Sequence, residues 1–177
     1  PTEAWISTFD IQFDFAAELL SRLALKPVLM FAHATTADAQ REYRTWFRAC
    51  FAHANSRMHF PQPKMPFGSY HPKFLVLFFP LGVRVAVATI NLEQGSAECL
   101  SQLIFVQDFP LKRDDQPDFG FDGLATEESG NDFGRDLAVF LDRLDTPREF
   151  GFDPMRRLAA YDFSSAEAAL VGSTHLD

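Results

Sequence analysis

Three side chains are set apart by the chemistry their types allow. His71 and Lys73 head one apolar run and Asn91 closes the next, within FGSYHPKFLVLFFPLGVRVAVATINL (residues 67–92). Residues two apart in a strand share a face, which puts His71 and Lys73 on one side with Leu75, Leu77 and Phe79. The connection Pro80-Leu81-Gly82 suits a three-residue hairpin loop with Gly82 in the left-handed position. Such a loop pairs Phe79 with Val83, and therefore sets His71 opposite Asn91 and Lys73 opposite Thr89. An imidazole, an ammonium and a carboxamide then converge at one end of a hairpin, within cross-strand reach. A change of one residue in the loop would undo this convergence.

These are the groups a phosphoryl centre needs. Lys supplies a point charge, and Asn an amide donor, to non-bridging oxygens. A neutral His is a nucleophile able to form a covalent phospho-enzyme. A lone His or Asn at a strand end is ordinarily a polar group meeting water; three such groups on one face favour function.

The elements that must position them follow from periodicity. FDFAAELLSRLAL (13–25) has helical spacing, and KPVLMFAH (26–33) is a continuous apolar run typical of a strand buried on both faces. TADAQREYRTWFRACFA (36–52) repeats Ala39, Tyr43, Trp46, Phe47 and Cys50 at helical intervals, and its aromatics read as core in preference to a binding stripe. FPQPKMPFG (60–68) is a loop ahead of the two strands, and SQLIFVQDF (101–109) is another strand. The segment 113–131 is acidic and Gly-rich without sustained period, an exposed loop. DFGRDLAVFLDRL (132–144) is an amphipathic helix with Asp132 as N-cap, and DPMRRLAAYD (153–162) a shorter one with Pro154 in its first turn. AALVGSTHLD (168–177) reads as a closing strand. Strands alternating with helices, without repeats, predict an α/β fold: one α-β-α sandwich around a mixed sheet over residues 1–177.

At 177 residues, 47% apolar, the chain is long enough for one sizeable core. With 24 acidic against 16 basic residues it carries a formal charge of −8, unlike a typical nucleic-acid binder. No segment approaches the ~20 apolar residues of a membrane span, and no signal peptide is visible. Cys50 and Cys99 lack metal-ligand spacing and read as buried thiols of an intracellular protein, not a disulfide.

His71-Pro72-Lys73 followed by Asn91 resembles the His-x-Lys…Asn signature of the tyrosyl-DNA phosphodiesterase 1 family, a branch of the phospholipase D superfamily. The ordinary superfamily motif has Asp five residues after the Lys; here Phe78 stands there, as in the tyrosyl-DNA branch. STFDIQFDF, KPVLMFAH, FGSYHPK, GVRVAVATINL, SQLIFVQDFPL, DLAVFLDRL and LVGST are similar to family segments in the same order. The resemblance implies a DNA-repair phosphodiesterase that hydrolyses 3′-phosphotyrosyl and related 3′-end DNA adducts through a phosphohistidine. His71 matches the nucleophile, and Lys73 and Asn91 the phosphate-binding pair. Phe67 matches an aromatic that stacks on DNA beside the scissile phosphate, or is a loop anchor. Gln102 matches a residue that hydrogen-bonds the second catalytic histidine, or faces solvent. The implied partners are DNA with 3′-blocked ends, single- or double-stranded, and a topoisomerase-derived tyrosyl peptide as leaving group. The implied compartment is the nucleus, with no metal, no other cofactor and no membrane required.

One departure matters. The family site is built from two similar halves, each giving one His-x-Lys set, yet His71–Lys73 is the only such set here. The general acid for the tyrosyl leaving group is therefore missing, and VGSTHLD resembles the end of a first half. The chain is thus expected to be an N-terminal half, nearly inactive by itself, whose groove belongs partly to the other half. Two alternatives are a single-motif phosphodiesterase completed by a second copy across a two-fold axis, and a non-catalytic half that binds DNA ends or a protein.

Overall fold

The computed structural model describes residues 1–62, 68–113 and 133–170. Its sheet has six strands in the order β3-β2-β1-β4-β5-β6. They are β1 (Glu3–Thr8), β2 (Val28–Ala32), β3 (Arg57–His59), β4 (Phe74–Phe79), β5 (Gly82–Ala88) and β6 (Ile104–Pro110). The sheet is mixed: β1 runs parallel to β2, β2 parallel to β3, and β1 antiparallel to β4. Two compact units result, one of Pro1–Pro80 with Arg84–Gln107 and one of Leu81–Val83 with Asp108 onward.

In the first unit the pleat sorts the side chains. Ala4, Ile6, Val28, Met30 and Ala32 point to one face, where α1 (Phe13–Leu19) supplies Ala16 and α2 (Ala37–Cys50) supplies Phe47. Each large side chain fully buried there contributes about 1.5–3 kcal/mol of apolar transfer. Trp5, Phe31, Phe74, Val76 and Phe78 point the other way and are also buried, with Trp5 edge-on to Phe78 at 4.6 Å between centroids. Every residue of β2 is buried, the pattern its unbroken apolar run requires.

Helix α2 starts where Thr36 caps it, its hydroxyl accepting from the Ala39 N–H at 3.2 Å. The expected helix over 13–25 is shorter: α1 stops at Leu19, and a 3₁₀ turn, Ser21–Leu23, carries Leu23 into the core. In the second unit, α4 (Phe133–Asp142) and α5 (Pro154–Leu158) lie against each other. Asp153 caps α5 by accepting from the Arg156 N–H at 2.9 Å, with Pro154 opening the helix. Phe109, Phe133 and Phe163 form a cluster of rings in the same unit.

Three expectations are corrected. The hairpin is one residue tighter than Pro80-Leu81-Gly82 suggested: Pro80 and Leu81 alone make the turn, and Gly82 already belongs to β5. Gly82 has no positive φ; its lack of a side chain serves packing, since a Cβ there would lie 2.6 Å from the Phe109 carbonyl oxygen of β6. The cysteines are free but not buried, Cys50 being half-buried and Cys99 exposed. Elements not foreseen are β1, the short β3, and α3 (Gln94–Cys99). Residues 168–170 are not in a strand. The expected acidic loop beyond Arg113, the Asp132 cap, Phe67 and the remainder of the closing segment lie outside the described residues.

Candidate active site

The tighter turn shifts the β4–β5 register. The Ala88 N–H donates to the Lys73 carbonyl at 3.0 Å, so Lys73 lies opposite Ala88 and not Thr89. A strictly regular ladder in this register would send Asn91 to the face away from His71. The ladder ends first, because β4 begins at Phe74 and β5 stops at Ala88. His71, Lys73 and Asn91 are therefore placed by strand-end loops and not by alternation.

The His71 loop is held from β1 and β2. Ser7, buried on β1, donates its hydroxyl to the Pro72 carbonyl at 2.7 Å and accepts from the Tyr70 hydroxyl at 2.8 Å. His33, one residue past β2, accepts the Tyr70 backbone N–H on Nδ1 at 3.2 Å. The residues on both sides of His71 are thus fixed while its own ring reaches the surface.

Phe9, one residue past β1, packs on that ring at 4.6 Å between centroids. The Lys73 ammonium lies 2.7 Å from His71 Nδ1 and 3.1 Å from Nε2, and donates to the His71 carbonyl at 3.0 Å. It also lies 5.6 Å from the Phe9 ring centroid, a cation–π contact. Lys73 is only 7% exposed, and burial lowers the affinity of its amine for a proton. Burial of the imidazole, then the Lys73 charge, then His33 push the His71 pKa below its ordinary value. Both ring nitrogens face a cation, so the neutral imidazole is favoured.

Asn91 arrives on a separate segment that is pinned to the loop after β1. The Leu92 N–H donates to Thr8 Oγ1 at 3.2 Å, and the Gln12 N–H to the Leu92 carbonyl at 2.8 Å. Thr8 and Phe9 thereby connect the two parts: one holds the residue after Asn91, the other touches His71 and Lys73. The Asn91 Oδ1 is sealed from solvent without a hydrogen-bond partner. A buried amide in that state costs about 1–3 kcal/mol, an expense that binding sites tolerate.

Gln102 is half-buried and its amide is engaged at both ends. Oε1 accepts from Thr89 Oγ1 at 2.6 Å, and Nε2 donates to the Ser96 carbonyl at 3.0 Å. It braces α3 against the segment that leads to Asn91. Among the described residues no group of three His, Cys, Asp or Glu is arranged to hold a metal ion, and no helix is long and apolar enough to cross a membrane. Sequence reasoning passed over Ser7, Phe9 and His33. Their signal was position: they stand at or just past the ends of two buried parallel strands, where sites collect in α/β sheets.

The chain is thus an α/β protein with a mixed sheet and a His-x-Lys pair at its strand ends, and its likenesses place it in a family. The chain belongs to the tyrosyl-DNA phosphodiesterase family, whose model matches residues 1–175. It is 29% identical over 178 aligned residues to tyrosyl-DNA phosphodiesterase 1 of Arabidopsis thaliana, covering 96% of this chain and 27% of that protein. The chain thus spans roughly a quarter of that relative. Crystal structures of the yeast tyrosyl-DNA phosphodiesterase share the fold: one has a TM-score of 0.59 at 11% identity, covering 92% of this chain and 36% of the yeast chain. A mutant form of the yeast enzyme gives the same TM-score and identity, with 35% of its chain covered. The α/β fold with a mixed sheet, expected from the sequence, is the fold of this chain.

Proposed function

We propose that this chain supplies one half of the active site of a DNA-repair phosphodiesterase acting on 3′-phosphotyrosyl and related 3′-end adducts. The observation that carries the reading is the Lys73 ammonium set against the His71 ring at the open end of the sheet. His71 is the nucleophile. Lys73 and Asn91 bind the non-bridging phosphate oxygens, the lysine through its ammonium and the asparagine through its amide N–H. Gln102 is a support of the Asn91 segment, and Phe67 a base-stacking side chain. The site takes no cofactor.

The free-state contact suggests the order of events. An incoming phosphate offers Lys73 better acceptors than the imidazole, which frees the ring's lone pair. A ring nitrogen then attacks phosphorus, the bond to the tyrosyl oxygen breaks, and the phenolate leaves with a proton from a second histidine. Water afterwards cleaves the P–N bond, releasing the 3′-phosphate and restoring His71. The second histidine comes from another segment of a longer polypeptide, in keeping with the quarter of the plant relative that this chain spans. The substrates are DNA ends, single- or double-stranded, with a topoisomerase-derived tyrosyl peptide as leaving group, and the compartment is the nucleus.

The test is to trap the adduct. Full-length natural protein is incubated with a 3′-phosphotyrosyl oligonucleotide, denatured without acid and mapped by mass spectrometry. A DNA adduct on His71, absent in His71→Ala, is expected. An adduct on any other residue overturns the assignment.

A further inference from the structure

His33 is no part of the His-x-Lys motif that pointed to His71, yet it is tied to the same loop. The parallel register sets Thr8 beside Ala32, so Phe9 and His33 leave their strands abreast. The Phe9 ring stacks on His33 at 4.9 Å and 19° on one side, and meets His71 at 4.6 Å and 42°. The two imidazoles thus share one aromatic spacer. His33 Nδ1 also accepts the N–H of Tyr70, the residue before His71. A nitrogen that accepts carries no proton, so the His33 ring is the Nε2–H tautomer. A doubly protonated His33 would turn an N–H against an N–H and lose the tether.

We infer that His33 is a positioning residue for the nucleophile: its Nδ1 fixes the Tyr70 backbone, and its ring, through Phe9, sets the plane in which the His71 imidazole stands. Ser7 holds Tyr70 and Pro72 by the hydroxyl and the carbonyl, and His33 supplies the amide contact that Ser7 does not make. With both, the loop has little freedom to swing the ring off the attack line. The inference rests on His71 being the nucleophile, as proposed above.

The discriminating variants exploit geometry. In His33→Asn the Oδ1 takes the place of Nδ1 and can still accept from Tyr70. In His33→Gln the Oε1 takes the place of Nε2 instead, and His33→Ala has no acceptor. Single-turnover adduct formation is measured in the full-length protein with a 3′-phosphotyrosyl oligonucleotide. Misplacing a reacting group by about 1 Å can cost ~10²-fold. His33→Ala and His33→Gln are therefore expected to slow the covalent step by roughly 10- to 100-fold with KM little changed, while His33→Asn stays near the wild-type rate. Amide hydrogen exchange at Tyr70 should quicken in the Ala and Gln variants and stay slow in Asn. Rescue by Gln and not Asn would make Nε2 the working atom and overturn the inference.

Two readouts do not depend on turnover. Long-range ¹⁵N spectra of the unmodified protein should show His33 as the Nε2–H tautomer; Nδ1–H overturns the tether whether or not any variant folds. If the wild-type protein forms no adduct, the phosphodiesterase reading fails, while tautomer and Tyr70 exchange still decide the positioning role.

Discussion

The hydroxyls of Ser7 and Tyr70 lie 2.8 Å apart in a buried contact that joins the central strand to the residue before the proposed nucleophile. Ser7→Ala would strand both the Tyr70 hydroxyl and the Pro72 carbonyl. Leaving buried polar groups unpaired costs about 1–3 kcal/mol. Urea unfolding should show a lower midpoint with an unchanged slope. A Ser7→Ala/Tyr70→Phe double-mutant cycle should return a non-zero coupling; additive effects would mean that the contact contributes nothing.

Lys73 should matter more to rate than to folding. In the full-length protein, Lys73→Ala is expected to slow adduct formation by roughly 10²–10³-fold, the range for loss of one preorganised electrostatic donor. His71→Ala should abolish the adduct. Single-turnover quench experiments on 3′-phosphotyrosyl DNA measure both, and a Lys73→Ala rate within a factor of a few of wild type would remove Lys73 from the phosphate site.

The pH dependence follows from the lowered His71 pKa. An unperturbed histidine titrates near 6.5. The folded protein binds this proton less readily than the unfolded chain, so the His71 contribution to stability is whole above about pH 6.5. It is lost as pH falls through the depressed folded value. The covalent step should lose rate on acidification with a midpoint below about 6.5, because only the neutral ring attacks. An NMR titration of His71 should give the same midpoint. A His71 that titrates above 6.5 would contradict the cationic surroundings that Lys73 provides.

Gly82→Ala tests the close approach of β5 to β6. The added Cβ would meet the Phe109 carbonyl oxygen at 2.6 Å, and a backbone oxygen cannot step aside as a flexible side chain would. Overpacking of this kind costs about 1–3 kcal/mol. Thermal unfolding of the variant should fall accordingly; an unshifted Tm would show that the two strands separate freely.

Where local pattern and tertiary packing agree, the sequence is readable. The unbroken apolar run of β2 and the Thr36- and Asp153-capped helices α2 and α5 stand where periodicity puts them. His71 and Lys73 come together, as the motif required. The hairpin arithmetic failed because Gly82 carries two meanings in sequence, a left-handed turn or a close strand approach, and only β6 selects the second. Asn91 is therefore placed not by the deduced alternation but by its neighbour Leu92, which bonds Thr8 and Gln12. Ser7, Phe9 and His33 were not legible because their value lies in contacts with the residues around 70–73, far along the chain. Strand β1 was overlooked for a related reason: EAWIST mixes polar and apolar residues, and its neighbours are what make it central.

That centrality bears on how the chain can be cut and how it must fold. Ile6 pairs with Met30 on one side and with Leu75 on the other. Once made, β1 has a partner soon afterwards in β2, but its other edge stays open until β4 has been synthesised, and such long-range closures are slow. In that interval the exposed edge, carrying Trp5 and Ile6, is a template on which another nascent chain could add a strand. A deletion that removes Glu3–Thr8 would not trim a tail. It would take out the middle plank of the sheet and, with Ser7, one of the clamps on the proposed nucleophile.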